Sequence, residues 1–227
     1  MLKHYSFRKR RRLELYFRCI SACSEEWMLN NYYVAYEFGV IDRYIRKGLI
    51  KHTLEHWGIT NASELKKKID WLLQDGVRAE YNRKHACLAA LTEQGRSRFL
   101  ESVKDEADFE KWGVVHKCLH QLPSGNVVAY DGAWAILLAR VGLALTFLTK
   151  NEAWEIKLKA ADMLQKNYRS WNEFNVGYMC GAHFSKKKPG ISASYTLLPL
   201  HNLMRHSSLL YKKALWHTDL LPDKEAG

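Results

Sequence analysis

Three observations predict an all-α fold: a single compact multi-helix domain with a central buried helical hairpin and a basic N-terminal arm. The apolar run Val127 to Leu148 places Trp134, Leu138, Val141, Leu145 and Leu148 at three- and four-residue steps, which puts them on one helical face. Thr149 with Glu152, and then Ser170 with Glu173, are capping signatures, in which a hydroxyl accepts an orphan amide of a new helix while the carboxylate three residues on reaches back. Composition agrees: eight Trp, twelve Tyr and eight Phe supply mass for burial, while thirteen Gly and four Pro leave little turn material for a β-sandwich.

Residues 1–12 read as a basic arm and residues 13–56 as N-terminal helices. Leu15, Tyr16, Cys19, Ile20 and Cys23 sit at helical spacing, and Ser24 with Glu25 and Glu26 opens a further helix rich in Tyr, Phe and Ile. Residues 57–184 form the core. Trp57-Gly58-Ile59 breaks the helical pattern, and Asn61 with Glu64 starts a helix whose Leu65, Ile69, Leu72 and Leu73 face inward until Gly76 stops it. Lys66, Lys67 and Lys68 fall on its far side. Tyr81 to Leu91 and Arg96 to Val103 continue as helical pieces, and Asp105 with Asp108 begins another that reaches toward His120. Leu122-Pro123-Ser124-Gly125 is a short linker before the hairpin, too short to divide independent domains.

In the hairpin, a second row of the apolar helix, Asp131, Ala135, Ala139, Gly142 and Thr146, is mostly small and lets a neighbouring backbone come close. Trp154, Leu158, Ala161, Leu164 and Tyr168 give the next helix its buried stripe, and Trp171, Phe174 and Tyr178 the third. Residues 185–227 comprise a Lys-rich loop, a last helix from Leu198 to Trp216 and a polar tail.

The net charge is +11, and six cations, Lys3, Arg8, Lys9, Arg10, Arg11 and Arg12, fall within the first twelve residues. A cationic run of that density attracts phosphate or acidic surfaces more strongly than the same charges dispersed. Glu14 and Arg18 interrupt the apolar stretch behind it, against an export signal. Five Cys without a compact disulfide spacing fit a reducing compartment, with the cytoplasm as the expected location. No membrane span is expected: Arg140 near the middle of the apolar run would cost about 2.5–3.5 kcal/mol on insertion scales.

Two blocks of residues resemble a bacterial family known as domain of unknown function 1266. The first is Trp57-Gly58-Ile59 followed by Trp71-Leu72-Leu73 and Gly76. The second contains Asp131, Arg140 and Gly142, then Glu152-Ala153-Trp154, Ser170-Trp171, Tyr178, Gly181 and Phe184. The resemblance covers Ala129 to Phe184, with further support from Trp57 to Gly76. Trp134 and Ala182 depart from it, standing where members often carry basic residues. The resemblance implies an all-helical bacterial protein and brings no activity with it.

Asp131 and Arg140 are the charged residues of the apolar helix. Nine residues apart, they are separated by about 13.5 Å along its axis and cannot pair, so each needs a partner elsewhere; Glu152, Asp162, Tyr178 and His183 are the candidates. His52-Thr53-Leu54-Glu55-His56 has the inverted zincin spacing, with two imidazoles for zinc and a glutamate to activate water, but no third ligand follows from spacing. His116 with His120, and Cys19 with Cys23, are further helically spaced pairs, better read as one face of an ordinary amphipathic helix and as buried free thiols than as metal ligands. No cofactor motif is present in the sequence.

The reading that follows is a non-enzymatic module that binds a protein partner, with nucleic-acid contact through Arg8, Lys9, Arg10, Arg11 and Arg12. The alternative is a hydrolase or toxin-like effector. It would use Asp131, Arg140 and His183, or a metal at His52, Glu55 and His56.

Overall fold

The computed structural model describes residues 2–24, 50, 54, 55, 57–122, 126–185, 212 and 214–223. After a 3-10 turn at Leu2–His4 the helices are α1 (Phe7–Ala22), α2 (Ala62–Gln74), α3 (Gly76–Ala89), α4 (Glu93–Ser102), α5 (Phe109–Cys118), α6 (Val128–Ala144), α7 (Lys150–Asn167) and α8 (Trp171–Ser185). The described residues contain no strand, and the all-α class holds.

The long apolar run becomes α6, and every residue in it except Leu143 is buried. The run has no polar face to turn toward water, so a single core stripe would leave apolar surface exposed. Instead α1, α2, α3, α7 and α8 all pack against it. The small positions permit this close approach. A Cβ added at Gly142 would lie 2.5 Å from Leu65 of α2 and 2.8 Å from Leu148.

The helix ends earlier than its apolar pattern suggests. The Phe147 N–H donates to the Gly142 carbonyl at 2.9 Å and the Thr146 N–H to Leu143 at 3.2 Å, closing a Schellman turn whose left-handed residue is Thr146, at φ +61°. Leu148 thereby folds back onto α6. The chain then enters α7 through the expected capping box: Thr149 accepts the Glu152 amide and Glu152 accepts the Thr149 amide. At α8 the Ser170 hydroxyl accepts the Glu173 amide, whereas the Glu173 carboxylate returns to the Arg169 amide, one residue before the cap.

Upstream, Asn61 caps α2 by accepting the Glu64 amide, and Thr92 caps α4. Asp108 precedes α5 without a side-chain capping bond and instead pairs with Lys84 at 2.9 Å. A second core, formed by Tyr81, Leu88, Val115, Leu119, Val127, Cys180 and Phe184, joins α3, α5 and α8. The expected last helix, Leu198 to Trp216, lies mostly outside the described residues. Its described end is irregular, and Trp216 sits in a turn, packed on Trp171 at 4.9 Å between ring centroids.

The N-terminal run is not an appended arm. From Phe7 onward it is the opening of α1, capped by Ser6, whose hydroxyl accepts the Lys9 amide. Lys9 is four residues before Leu13 and so shares its inward phase; Tyr5, Lys9, Leu13, Tyr16 and Phe17 are all buried.

Candidate functional site

The polar residues singled out by the sequence separate into an interior set and a surface set. Asp131, in the first turn of α6, has no exposed surface. Its carboxylate accepts the Val77 N–H at 2.8 Å, the Arg78 N–H at 3.2 Å and the Arg78 Nη1 at 2.9 Å. It therefore caps α3 from another helix, taking up amides that the first turn leaves without helical partners. The same guanidinium donates through Nη1 to the Leu72 carbonyl at 2.6 Å, and through Nη2 to the Leu73 and Gln74 carbonyls at 2.8 and 2.6 Å. Arg78 thus caps the end of α2 while its partner Asp131 caps the start of α3.

The connection between those helices is only as wide as glycine allows. Gly76 has φ +62°, and a Cβ there would lie 2.2 Å from Asp131 Oδ2 and 2.7 Å from Arg78 Nη1. Burial pushes the Asp131 carboxyl up to about 6, against the opposing pull of the Val77 amide and the Arg78 guanidinium and amide. The group is therefore mainly ionised at neutral pH and committed to three donors.

Arg140 is 1% exposed, and its Nη1 donates to the Ser21 hydroxyl of α1 at 2.7 Å. Ser21 in turn donates to the Phe17 carbonyl at 3.0 Å. Asp131 therefore bonds α3, and through Arg78 is tied to the end of α2, whereas Arg140 reaches Ser21 of α1. Of the acids expected to answer them, Glu152 meets Lys66 at 2.7 Å and Asp162 meets Lys166 at 2.5 Å. His183 sits half-buried in the last turn of α8.

Further cations with little exposure carry no motif, among them Lys84, which pairs with Asp108. Lys157, 2% exposed, places its ammonium 2.6 and 2.7 Å from the two Glu14 oxygens and 5.4 and 5.5 Å from the Phe17 and Trp154 ring centroids. Arg78 is another. What could have marked it is its position, two residues after a helix-stopping glycine, where a long cation can reach back to the carbonyls just ended.

For metal chemistry, His52 and His56 lie outside the described residues, and Glu55 is exposed. Among the described residues no group of three or more His, Cys, Asp or Glu could hold an ion. His116 is half-buried within α5 and His120 exposed beyond it. Cys19 and Cys23 are buried on α1, and burial pushes the Cys19 thiol up to about 12 and the Cys23 thiol well above its ordinary value.

The surface set lies at the start of α1. Lys9 is 8% exposed and turns inward, with its ammonium 2.7 Å from Asp219 and 3.9 Å from Asp223. Arg10 is half-buried, while Arg8, Arg11 and Arg12 are exposed. At spacings of three and four they share one outer face. Phe7 beside them is 70% exposed, with the Arg11 guanidinium 5.9 Å from its ring centroid. Five neighbouring cations expected to act alike are thus divided by helix phase into one that fastens, one that is partly covered and three that face water. Lys66 and Lys67 are exposed on α2, whereas Lys68 lies over the Trp57 and Trp71 rings at 5.2 and 4.7 Å.

None of the described helices is long and apolar enough to cross a membrane. Among known proteins, the family model described as protein of unknown function (DUF1266) matches residues 54–216. No curated protein and no solved structure matches the chain.

Proposed function

We propose that this chain, which belongs to the family described as protein of unknown function (DUF1266), is a non-enzymatic helical binding module whose α1 grips a nucleic-acid backbone. The observation that carries the reading is the division of the basic run by helix phase. Arg8, Arg11 and Arg12 are held on one ordered, water-facing surface, and each presents a planar donor fork suited to phosphate oxygens. The exposed Phe7 ring adds a surface on which an unpaired base can stack.

The interior supports the same reading from the other side. Asp131 and Arg140, the charged residues most suggestive of chemistry, are occupied in joining helices. α1 precedes the stretch matched by the family model, so this surface belongs to the present chain and is not inferred from the family. Backbone contacts of this type bring affinity without base readout.

The test is a titration of labelled single-stranded RNA and duplex DNA at low ionic strength. It compares the protein with an Arg8→Gln, Arg11→Gln, Arg12→Gln variant. Binding should fall at least about tenfold while the helical circular dichroism stays unchanged. Equal binding by the two proteins would remove α1 as the interface, and a Phe7→Ala variant that weakens RNA more than duplex DNA would support the stacking role.

A further inference from the structure

The second core holds chemistry that the α1 surface does not use. Cys118 ends α5, Cys180 lies within α8, and these helices pack together beside Tyr81 of α3. Both side chains pack into the same cluster where α5 meets α8, and each thiol is the largest influence on the other's ionisation, which makes them neighbours across the helix interface. They differ in access, Cys118 being half-buried and Cys180 4% exposed. We propose that Cys118 and Cys180 form a redox-active dithiol, in which Cys118 attacks a hydroperoxide and Cys180 resolves the product into a disulfide joining α5 to α8.

The difference in access assigns the roles, since a hydroperoxide can reach half-buried Cys118 and not Cys180, and the electrostatics of the pair agree. Cys118 is held below the ordinary thiol value chiefly by its hydrogen bond with Cys180, with the Lys117 charge assisting. Cys180 is pushed up by the same bond and then by burial. The thiolate is the nucleophile, and an accessible low-pKa cysteine beside a resolving thiol is the arrangement that peroxide-sensing sites use.

In the first step the Cys118 sulfur bonds the outer oxygen of the hydroperoxide. The O–O bond breaks, and the departing alkoxide or hydroxide takes a proton from water, leaving a sulfenic acid. In the second, the Cys180 sulfur attacks the Cys118 sulfur and the S–O bond breaks. The leaving hydroxide takes the Cys180 proton and departs as water. Two thiols have lost two electrons to the hydroperoxide, which is reduced to water and an alcohol, or to two waters when it is hydrogen peroxide.

The experiment uses the full chain carrying Cys87→Ser, because Cys87 is exposed and would react on its own. Reduced protein receives a stoichiometric amount of hydrogen peroxide, and its thiols are counted after denaturation. The four that remain of five should fall to two. Non-reducing peptide mapping should recover the Cys118 and Cys180 peptides as one species that dithiothreitol separates. In Cys180→Ser protein, oxidation should stop at Cys118 as a sulfenic acid that dimedone captures. Survival of all four thiols, linkage mapping to Cys19 or Cys23, or a Cys118 sulfenic acid that persists with Cys180 present would each overturn the proposal. The mapping is made with both cysteines in place, so it stands even if Cys180→Ser fails to fold.

Discussion

Asp131 keeps a carboxylate inside the protein by gathering two amides and a guanidinium around it. Its folded pKa of about 6 exceeds its ordinary 3.8, so the folded state holds the proton more tightly than the unfolded chain. The stability this gives is fully present below about 3.8 and is lost as pH rises through about 6. In urea titrations the stability of wild type relative to Asp131→Asn should therefore fall by roughly 2–3 kcal/mol between those limits. A flat difference would mean that the carboxyl titrates normally, and a rising one that its donors outweigh its burial. That Asp131 and Arg140 need partners is legible from charges in an apolar helix; the partners are not, because Arg78 and Ser21 are distant in sequence and belong to no motif. Periodicity places Thr146 in the helix, whereas it occupies the left-handed position of a turn, where a β-branched residue is strained. Thr146→Gly should raise stability by about 0.5–1 kcal/mol in the same assay, and a decrease would place its value in the Thr146 hydroxyl bond to Leu145.

Helix boundaries follow their chemistry wherever a cap spells them out. Asn61, Thr149 and Ser170 each begin a helix as their spacing to Glu64, Glu152 and Glu173 predicts, since a cap is a local interaction complete within four residues. Burial is not local. The α6 pattern reads as one stripe because periodicity reports the largest side chains, whereas the alanines and glycines between them bury the remaining faces under other helices. The α2–α3 corner combines both kinds of information: Gly76 marks a stop, but only the fold brings Asp131 and Arg78 into the space beside it. Gly76→Ala must accommodate a Cβ against that ion pair as well as a left-handed backbone. A cost of at least about 2 kcal/mol is expected from denaturant midpoints, and a neutral substitution would show that the clamp has room.

Across the whole molecule, the start and end of the described chain are fastened together. The Tyr5 hydroxyl donates to the Leu220 carbonyl at 3.0 Å, the Asp223 N–H to His4 at 3.0 Å, the Ser6 N–H to the Asp223 carboxylate, and Lys9 reaches Asp219. A dense block of six cations disguises this, because charge density suggests a solvated tail while helix phase decides which cation turns inward. Removing residues 1–12 would strip Tyr5 and Lys9 from the core as well as the outer arginines. Without that buried aromatic and paired buried cation, stability should drop by several kcal/mol, and coincident unfolding transitions for the two lengths would contradict it. Truncation therefore cannot isolate the proposed binding surface, whereas substitution on the outer face of α1 can. The most direct measurement is the slope of log binding constant against log salt for duplex DNA, taken for wild type and for the Arg8→Gln, Arg11→Gln, Arg12→Gln variant. If the three arginines each neutralise a phosphate, the variant slope should be shallower by roughly 0.9 for each phosphate no longer neutralised, approaching 2.7 in all. Identical slopes for two folded proteins would contradict the proposal that α1 is the phosphate-binding face.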